Sequence, residues 1–174
     1  MDARRIFRMK INLLNRQTKL RIRSPALKRL ACWLLQRTAI PQAAGDRIDI
    51  ELVLTDNEGI RAYNLACFGK DRPTDVITQA YAAVPGGNDF HGELIVNAER
   101  ALEEGLQRQS IDQELALYIA HGCDHLDGAS DHTPPLRSQM RRREMAWLRQ
   151  ARQEGLLEDG LLAEKAASSP REKR

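Results

Sequence analysis

Four short segments of the chain have the apolar patterns that are typical of β-strands. Residues 6–15 alternate between apolar and polar side chains for part of their length, and the apolar residues at 48, 50, 52 and 54 alternate strictly. Residues 74–80 are rich in β-branched side chains, and Leu94-Ile95-Val96 is a short apolar run. A period of two sends alternate side chains to opposite faces of a strand, so these segments predict a four-stranded sheet.

Between the predicted strands, apolar residues recur every three or four positions, which is the spacing of an amphipathic helix. A helix is predicted over 25–38, with an N-cap at Ser24, and a second runs from a cap at Thr55 or Asp56 to about Gly69. Three further helices are predicted at 98–106, at 111–126 after a capping box at Ser110 and Gln113, and from Thr133-Pro134-Pro135 through Met140, Trp147 and Leu148.

The pattern therefore predicts the α+β class, with a four-stranded sheet flanked by about five helices. A length of 174 residues suits one domain. We place this domain at 1–160 and expect residues 161–174 to form a disordered tail. No run of about 18 apolar residues is present, so we expect no membrane partner. The N-terminus has no apolar block, and the three cysteines form no C-x-x-C pair, which together favour the cytoplasm.

Positive charge is concentrated near the start of the chain. Residues 1–40 contain eleven Lys and Arg residues against one acid, whereas the whole chain has a formal net charge of only +3. A second cluster is Arg141-Arg142-Arg143. Segregated positive charge attracts a phosphate backbone because neutralising phosphates releases counterions. Charge runs also occur as ordinary solvated faces, so charge alone does not identify an RNA-binding protein.

Three of the four histidines lie within twelve residues, and their spacing predicts a metal site. His121 and His125 are one helical turn apart, roughly 6 Å along the axis, so both imidazoles can converge on one zinc ion. Gly128 lets the chain leave the helix and fold back, which brings a third ligand from Asp131 or His132. Three protein ligands leave a coordination position for water, which is the pattern of a catalytic zinc site.

The other candidate residues near this motif are expected to have structural or surface roles. We expect Cys123 to be a buried core thiol and His91 to be a surface residue in a loop. Asp124 is expected to be a solvated carboxylate, with the orientation of a histidine as its alternative role. Position 122 is glycine, so the helix lacks the glutamate of the H-E-x-x-H peptidase motif, and a zinc peptidase is disfavoured.

Three blocks of sequence, in the same order along the chain, resemble the bacterial YbeY family of zinc-dependent endoribonucleases that mature ribosomal RNA. Residues 121–128, HGCDHLDG, are similar to the family pattern H-G-x-x-H-L-x-G. Asn64 and residues 69–78, GKDRPTDVIT, resemble a second family block, and residues 92–96, GELIV, resemble its G-D-I-x-I strand. The blocks cover roughly residues 48–148.

The resemblance implies a mixed sheet and one Zn²⁺ per chain, with His121 and His125 acting in catalysis through the metal-bound water. It also implies cleavage of single-stranded RNA, notably at the 3′ end of the small-subunit ribosomal RNA precursor. The small ribosomal subunit is the implied partner, and ribosome quality control is a further implied role. The residues expected to bind substrate are Lys70, Arg72, Thr74 and Asp75.

The chain departs from the family pattern at three places. Asp131 stands where the family has its third histidine, and His132 follows one residue late, so either side chain can be the third ligand. The family's Tyr-Arg before Gly-Lys is Cys67-Phe68 here, and Gln79 replaces a phenylalanine. Because the family arginine is expected to contact RNA, its absence leaves two alternatives open: a non-catalytic ribosome-assembly factor with a structural zinc, and a zinc hydrolase of another substrate class.

Overall fold

The computed structural model describes residues 8–45, 47–81, 87–108 and 110–163, which contain four strands and six helices. Along the chain these are β1 (Arg8–Asn15), α1 (Ser24–Leu35), α2 (Ile40–Ala43), β2 (Arg47–Thr55), α3 (Asn57–Phe68), β3 (Val76–Tyr81), β4 (Phe90–Asn97), α4 (Ala98–Gln107), α5 (Ile111–Leu126) and α6 (Pro134–Gln153). Residues 6 and 7 of the first predicted strand lie outside the described residues.

The four strands form one mixed sheet in the order β1-β2-β4-β3. Strand β2 pairs in parallel with both β1 and β4, whereas β3 runs antiparallel to β4 at the edge. Leu52 of β2 lies beside Leu13 of β1 and Leu94 of β4. The predicted α+β class with a mixed four-stranded sheet is therefore confirmed.

The two faces of the sheet carry hydrophobic clusters of very different size. The larger cluster contains Leu52, Leu54 and Leu94 and extends into α1 and α5. Neighbouring side chains in a strand point to opposite faces, so Val53 and Ile95 face the other way and join Ile60 of α3 in a small cluster. Helices α1 and α5 thus cover most of one face, and α3 covers part of the other.

Capping residues set the ends of the helices much as the sequence predicts. The Asp56 carboxylate accepts a hydrogen bond from Gly59 N at 2.9 Å, and Gly69 ends α3 with φ +66°. The Ser110 hydroxyl accepts a hydrogen bond from Gln113 N at 3.1 Å at the start of α5. In the part of the chain that is described, no helix is both long enough and apolar enough to cross a bilayer.

The first helix differs from its prediction at both ends. Its N-cap is Arg23, because Ser24 is already the first residue of the helix. No side chain forms a capping hydrogen bond at this end. At the other end α1 stops at Leu35, where the Thr38 hydroxyl donates to the Leu35 carbonyl at 2.7 Å. Pro41 cannot donate a helical hydrogen bond, so the chain starts a new turn there, the short α2. This turn is the helix beyond the five that were predicted.

The predicted tail begins too early, because residues 161–163 belong to the fold. Leu161 is completely buried, and its carbonyl accepts a hydrogen bond from Arg23 N at 2.8 Å. Leu162 forms an antiparallel bridge with Ile22, and the Asp112 carboxylate accepts from Leu161 N. Residues 164–174 of the predicted tail lie outside the described residues.

Gly122 allows α5 to lie close against the sheet. A Cβ atom built at this position collides with the Leu94 side chain and comes within 3.0 Å of Val76 Cγ2. Because His121 and His125 flank Gly122 on the same helix, this close approach also sets the height of both imidazoles above the sheet.

We therefore expect Gly122→Ala to destabilise the protein by about 1–3 kcal/mol, which is typical of overpacking. For a chain of this size the Tm should fall by roughly 2–12 °C. Thermal unfolding followed by circular dichroism measures the change. In a Leu94→Ala background, where the colliding side chain is shortened, the same substitution should cost much less; an equal cost in both backgrounds would contradict this packing explanation.

Candidate metal centre

Two imidazoles converge at the C-terminal end of α5. His121 Nε2 and His125 Nε2 are 3.1 Å apart, and the two rings meet nearly edge to face at 73°. Two ligands of a tetrahedral ion with bonds of about 2.0–2.1 Å are separated by roughly 3.3 Å. The spacing of the two nitrogens therefore fits a shared metal ion.

The turn that follows α5 brings a carboxylate to the same point. Gly128 adopts φ +90°, and Ala129 N donates to the Asp124 carbonyl at 3.1 Å, which folds the chain back over the helix end. One ligand atom each from His121, His125 and Asp131 then lie within 4.8 Å of one another. Among the described residues this is the one such group of three metal-binding side chains.

His132 lies outside this group. Its side chain is exposed, and its backbone N–H is directed at the Ser130 hydroxyl at 3.5 Å. The backbone of Asp131 is fixed by Arg137, whose guanidinium donates to the Asp131 carbonyl at 2.9 Å. Of the two residues that the sequence left as alternatives, the structure thus brings Asp131 to the histidines.

Each imidazole is oriented by a hydrogen bond at its other nitrogen. His121 Nδ1 lies 2.6 Å from Glu144 Oε1 of α6, and this carboxylate is only 3% exposed. His125 Nδ1 lies 3.0 Å from the Ala129 carbonyl. An acceptor at Nδ1 fixes the proton there and leaves the Nε2 lone pair free for a metal. Both histidines are therefore arranged as ligands.

The pKa of His121 reflects two opposing effects. Burial lowers the pKa of the imidazole, but the hydrogen bond to Glu144 and the negative charges of Glu144, Asp75 and Asp131 together raise it by more, so the pKa of His121 lies above its ordinary value. A histidine must be neutral to bind a metal ion, so a proton competes for this residue more strongly than for a histidine of ordinary pKa.

Asp124 is buried rather than solvated, which corrects the expectation from sequence. Its side chain is 1% exposed, and both carboxylate oxygens accept hydrogen bonds from Arg143 at 2.6–3.1 Å. Burial raises the pKa of Asp124, and Arg143 offsets this only in part. Glu144, and not Asp124, orients a histidine. The α5–α6 contact therefore includes two adjacent polar pairs beside its apolar packing.

The remaining expectations near the motif give mixed results. Cys123 is fully buried, as expected of a core thiol, and burial raises the pKa of its thiol. His91 is partly exposed, but it lies within β4 rather than in a loop, and its Nδ1 is 3.7 Å from Asp49.

Two depressions meet at the candidate metal centre. One, of about 660 Å³, is lined by His121, Asp131 and Asp75 together with arginines of α4 and α6. The other, of about 670 Å³, is lined by His125, Asp131, and three residues expected to bind substrate: Lys70, Arg72 and Thr74. Asp131 and Arg100 line both depressions, so a long ligand can extend to either side of the three donor groups.

The side chains of Thr74 and Asp75 are engaged with each other. The Thr74 hydroxyl donates to the Asp75 carboxylate at 2.9 Å, and the same oxygen accepts from Val76 N at 3.0 Å. These two hydrogen bonds fix the start of β3. Phe68, at the position of the family arginine, is 53% exposed, and Lys70 Nζ is 5.9 Å from the centre of its ring.

Comparison with known proteins agrees with this architecture. The family model "Endoribonuclease YbeY" matches residues 12–152. This range includes all three donor residues and the whole sheet apart from the first positions of β1. This chain belongs to the YbeY family. A YbeY relative from Anaeromyxobacter sp. (strain Fw109-5), named Endoribonuclease YbeY, is 35% identical over 127 residues, covering 71% of this chain and 65% of the relative.

Other YbeY relatives match over more of their own length. The Endoribonuclease YbeY of Geobacter sulfurreducens is 30% identical over 140 residues, with 78% of this chain and 89% of the relative covered. The solution structure of TM1509 from Thermotoga maritima aligns with a TM-score of 0.50 at 22% identity, over 95% of this chain and 100% of that one. This last likeness supports the fold alone. The chain spans just under two thirds of the first relative, at 65%.

Sequence reasoning missed the residues that this YbeY family member contributes from α6. Glu144 and Arg143 are 23 and 19 residues from their partners His121 and Asp124. No local spacing connects them. The one available signal is the burial pattern of α6, where Glu144 falls on the same face as Met140 and Leu148. A carboxylate on an apolar helix face indicates a buried partner.

Substitution of the third donor separates Asp131 from His132. We expect Asp131→Ala, like His121→Ala and His125→Ala, to reduce bound metal from about one ion per chain to below roughly a tenth, because two remaining ligands hold an ion weakly. His132→Ala should retain the metal. Mass spectrometric metal analysis of protein purified without chelator measures this. Metal loss in His132→Ala with retention in Asp131→Ala would reverse the assignment.

The contribution of the Glu144 charge can be tested with a side chain of nearly the same shape. Glu144→Gln keeps an oxygen that accepts from His121 Nδ1 but removes the charge, so we expect metal affinity to fall about 10–100-fold. Competition with a fluorescent chelator measures the affinity. Glu154→Gln, at the C-cap of the same helix, makes the same chemical change away from the metal centre and should bind metal normally. Equal affinities for the two variants would show that the negative charge of Glu144 does not strengthen metal binding at His121.

Proposed function

We propose that this protein is a metal-dependent endoribonuclease that hydrolyses single-stranded RNA, with one Zn²⁺ held by His121, His125 and Asp131. The observation that carries the proposal is the convergence of these three donors within 4.8 Å at the junction of two depressions rimmed by basic residues. Three ligands leave an open coordination position, which catalysis requires. The family name Endoribonuclease YbeY supports the same reaction class.

The residues of the chain supply the orientation and the charge that such a reaction needs. When bound, zinc acts as a Lewis acid toward a phosphodiester and lowers the pKa of a water ligand to about 7. Glu144 and the Ala129 carbonyl hold the two imidazoles with Nε2 directed at the centre. Lys70 and Arg72 line the depression on the His125 side, where they can bind phosphate oxygens of the strand.

Thr74 and Asp75 belong to the same substrate-binding proposal in a supporting role. Their mutual hydrogen bond and the bond to Val76 N fix the start of β3 at the wall of the cleft. Thr74 faces the depression that contains Lys70, and Asp75 faces the one that contains His121. We infer that the pair shapes the floor between the two depressions.

The biological substrate that we propose is ribosomal RNA. The resemblance in sequence implies processing at the 3′ end of the small-subunit precursor, a role in ribosome quality control, and the small ribosomal subunit as partner. A cytoplasmic location agrees with this substrate, and the three cysteines are free thiols.

A second candidate function is a non-catalytic RNA-binding assembly factor. The observation in its favour is Phe68, an exposed aromatic side chain at the position of the family arginine. A zinc hydrolase of peptides or small molecules is the third possibility, and it predicts no affinity for RNA. A cleavage assay and a binding assay on the same RNA distinguish all three.

We expect the zinc-loaded protein to cleave a single-stranded RNA internally, and a chelator to abolish the cleavage. Loss of a metal contribution worth several kcal/mol in the transition state should slow His121→Ala and Asp131→Ala by about 10³-fold or more. Gel analysis of end-labelled RNA measures the rates.

His132→Ala is the control, since it removes a neighbouring imidazole that lies outside the donor group. It should cleave at nearly the rate of the unsubstituted protein. RNA binding without metal-dependent cleavage would support the assembly factor instead, and an absence of RNA binding would support a different hydrolase.

A further inference from the structure

The depression on the His121 side of the metal centre has a basic rim that the proposed reaction does not yet use. Helix α4 and helix α6 face each other across it. The basic side chains on the rim are Arg100 of α4, its C-cap residue Arg108, and Arg137, Arg141 and Arg142 of α6. The four carboxylates that also line the depression are Asp75, Glu104, Asp131 and Glu144.

These carboxylates are already engaged elsewhere. Glu144 bonds to His121, Asp75 accepts from Thr74 and Val76, and Asp131 belongs to the metal centre. Glu104 lies 3.0 Å from the Arg108 guanidinium and 3.9 Å from that of Arg100. The acids of the depression therefore neutralise α4 far more than α6.

Arg141 and Arg142 stand apart from the other rim arginines. Arg108 also pairs with Glu114 at 3.1 Å, and Arg137 donates to the Asp131 carbonyl at 2.9 Å. Within the described ranges, neither Arg141 nor Arg142 has a carboxylate oxygen within 4.0 Å. Both side chains are exposed.

The arginines that line the depression from α6 do not stabilise one another. Arg137 and Arg141 are four residues apart, so their like charges lie on neighbouring turns of one face and repel. The first turn of α6 also has no acidic residue that would favour the positive end of the helix dipole. Repulsion of this kind is relieved when an anion binds between the side chains.

The floor of the depression is apolar and well packed. Leu117, Tyr118 and Met140 line it, and each is at least 94% buried. A volume of about 660 Å³ lies within the usual range of about 300–1,000 Å³ for ligand sites. Cationic rim, apolar floor and size together suit a stretch of nucleic acid, with its phosphates at the rim.

We propose that Arg141 and Arg142 bind backbone phosphates of the RNA strand on the His121 side of the metal centre. This inference rests on the proposed function and extends it. Lys70 and Arg72 line the depression on the other side, so the strand is held both before and after the bond that is cut. Binding of phosphates on both sides of the metal centre favours cleavage within a strand over removal of terminal nucleotides. Arg141 and Arg142 also supply positive charge that Phe68, at the position of the family arginine, does not.

The test compares two double variants of the same helix. Arg141→Ala/Arg142→Ala removes the proposed contacts, whereas Arg149→Ala/Arg152→Ala removes the same charge from exposed positions that do not line the depression. Fluorescence anisotropy with a single-stranded 2′-O-methyl RNA, at several salt concentrations, measures binding by the zinc-loaded protein. Circular dichroism checks that both variants are folded.

Each phosphate contact to a single strand contributes about 0.7 to the salt slope of the binding constant. We expect the Arg141/Arg142 variant to lose about 1.4 from this slope. The ratio of the binding constant of the unsubstituted protein to that of the variant should therefore rise about 25-fold for each tenfold dilution of salt. The Arg149/Arg152 variant should change the slope by less than about half of that amount.

Equal slopes for the two double variants would overturn the proposal, because the effect would then be one of net charge. Binding of a poly-glutamate peptide that depends on Arg141 and Arg142, with RNA binding unaffected, would assign the rim to an acidic protein and would also overturn it. RNA cleavage by the unsubstituted protein is scored separately. Its absence would reject the nuclease proposal, while the binding slopes still decide the role of these two arginines.

Discussion

The imidazole of His121 and the almost completely buried carboxylate of Glu144 meet at 2.6 Å. This contact joins α5 to α6 and directs the other nitrogen of the ring toward His125. Without its acceptor the imidazole can rotate, and the donor atoms would converge only part of the time. The neighbouring pair of Asp124 and Arg143 joins the same two helices, so position and orientation are fixed together.

Much of the fold follows from local sequence because local forces dictate those parts. The strict alternation in β2 gives one face to Leu52 and the other to Val53, and Asp56 and Ser110 begin their helices by accepting nearby backbone hydrogen bonds. The short α2 and the pairing of residues 161–163 with 21–23 do not follow in this way. The pairing joins segments that are distant in the chain. The residue before α2 is also held from a distance, because Ala39 N donates to the Asp127 carboxylate at 2.8 Å.

The candidate site divides along the same line. His121 and His125 could be predicted because their spacing on one helix is enough to align two imidazoles. The choice between Asp131 and His132 could not be predicted from sequence. It depends on the backbone path after Gly128, where a change in the backbone torsion angles of one residue exchanges the side chain that faces the histidines. The contact of Glu144 with His121 could not be predicted from residue spacing, because the two residues lie on different helices.

A carboxylate in place of a third imidazole changes the charge at the centre of the cleft. Asp131 contributes a negative charge that histidine does not, so a divalent ion held by two imidazoles and one carboxylate retains about one unit of positive charge rather than two. Such a centre attracts an anionic phosphodiester less strongly by itself. In the proposed complex with RNA, the guanidinium groups around the cleft would therefore add to the attraction that the ion exerts on the polyanion.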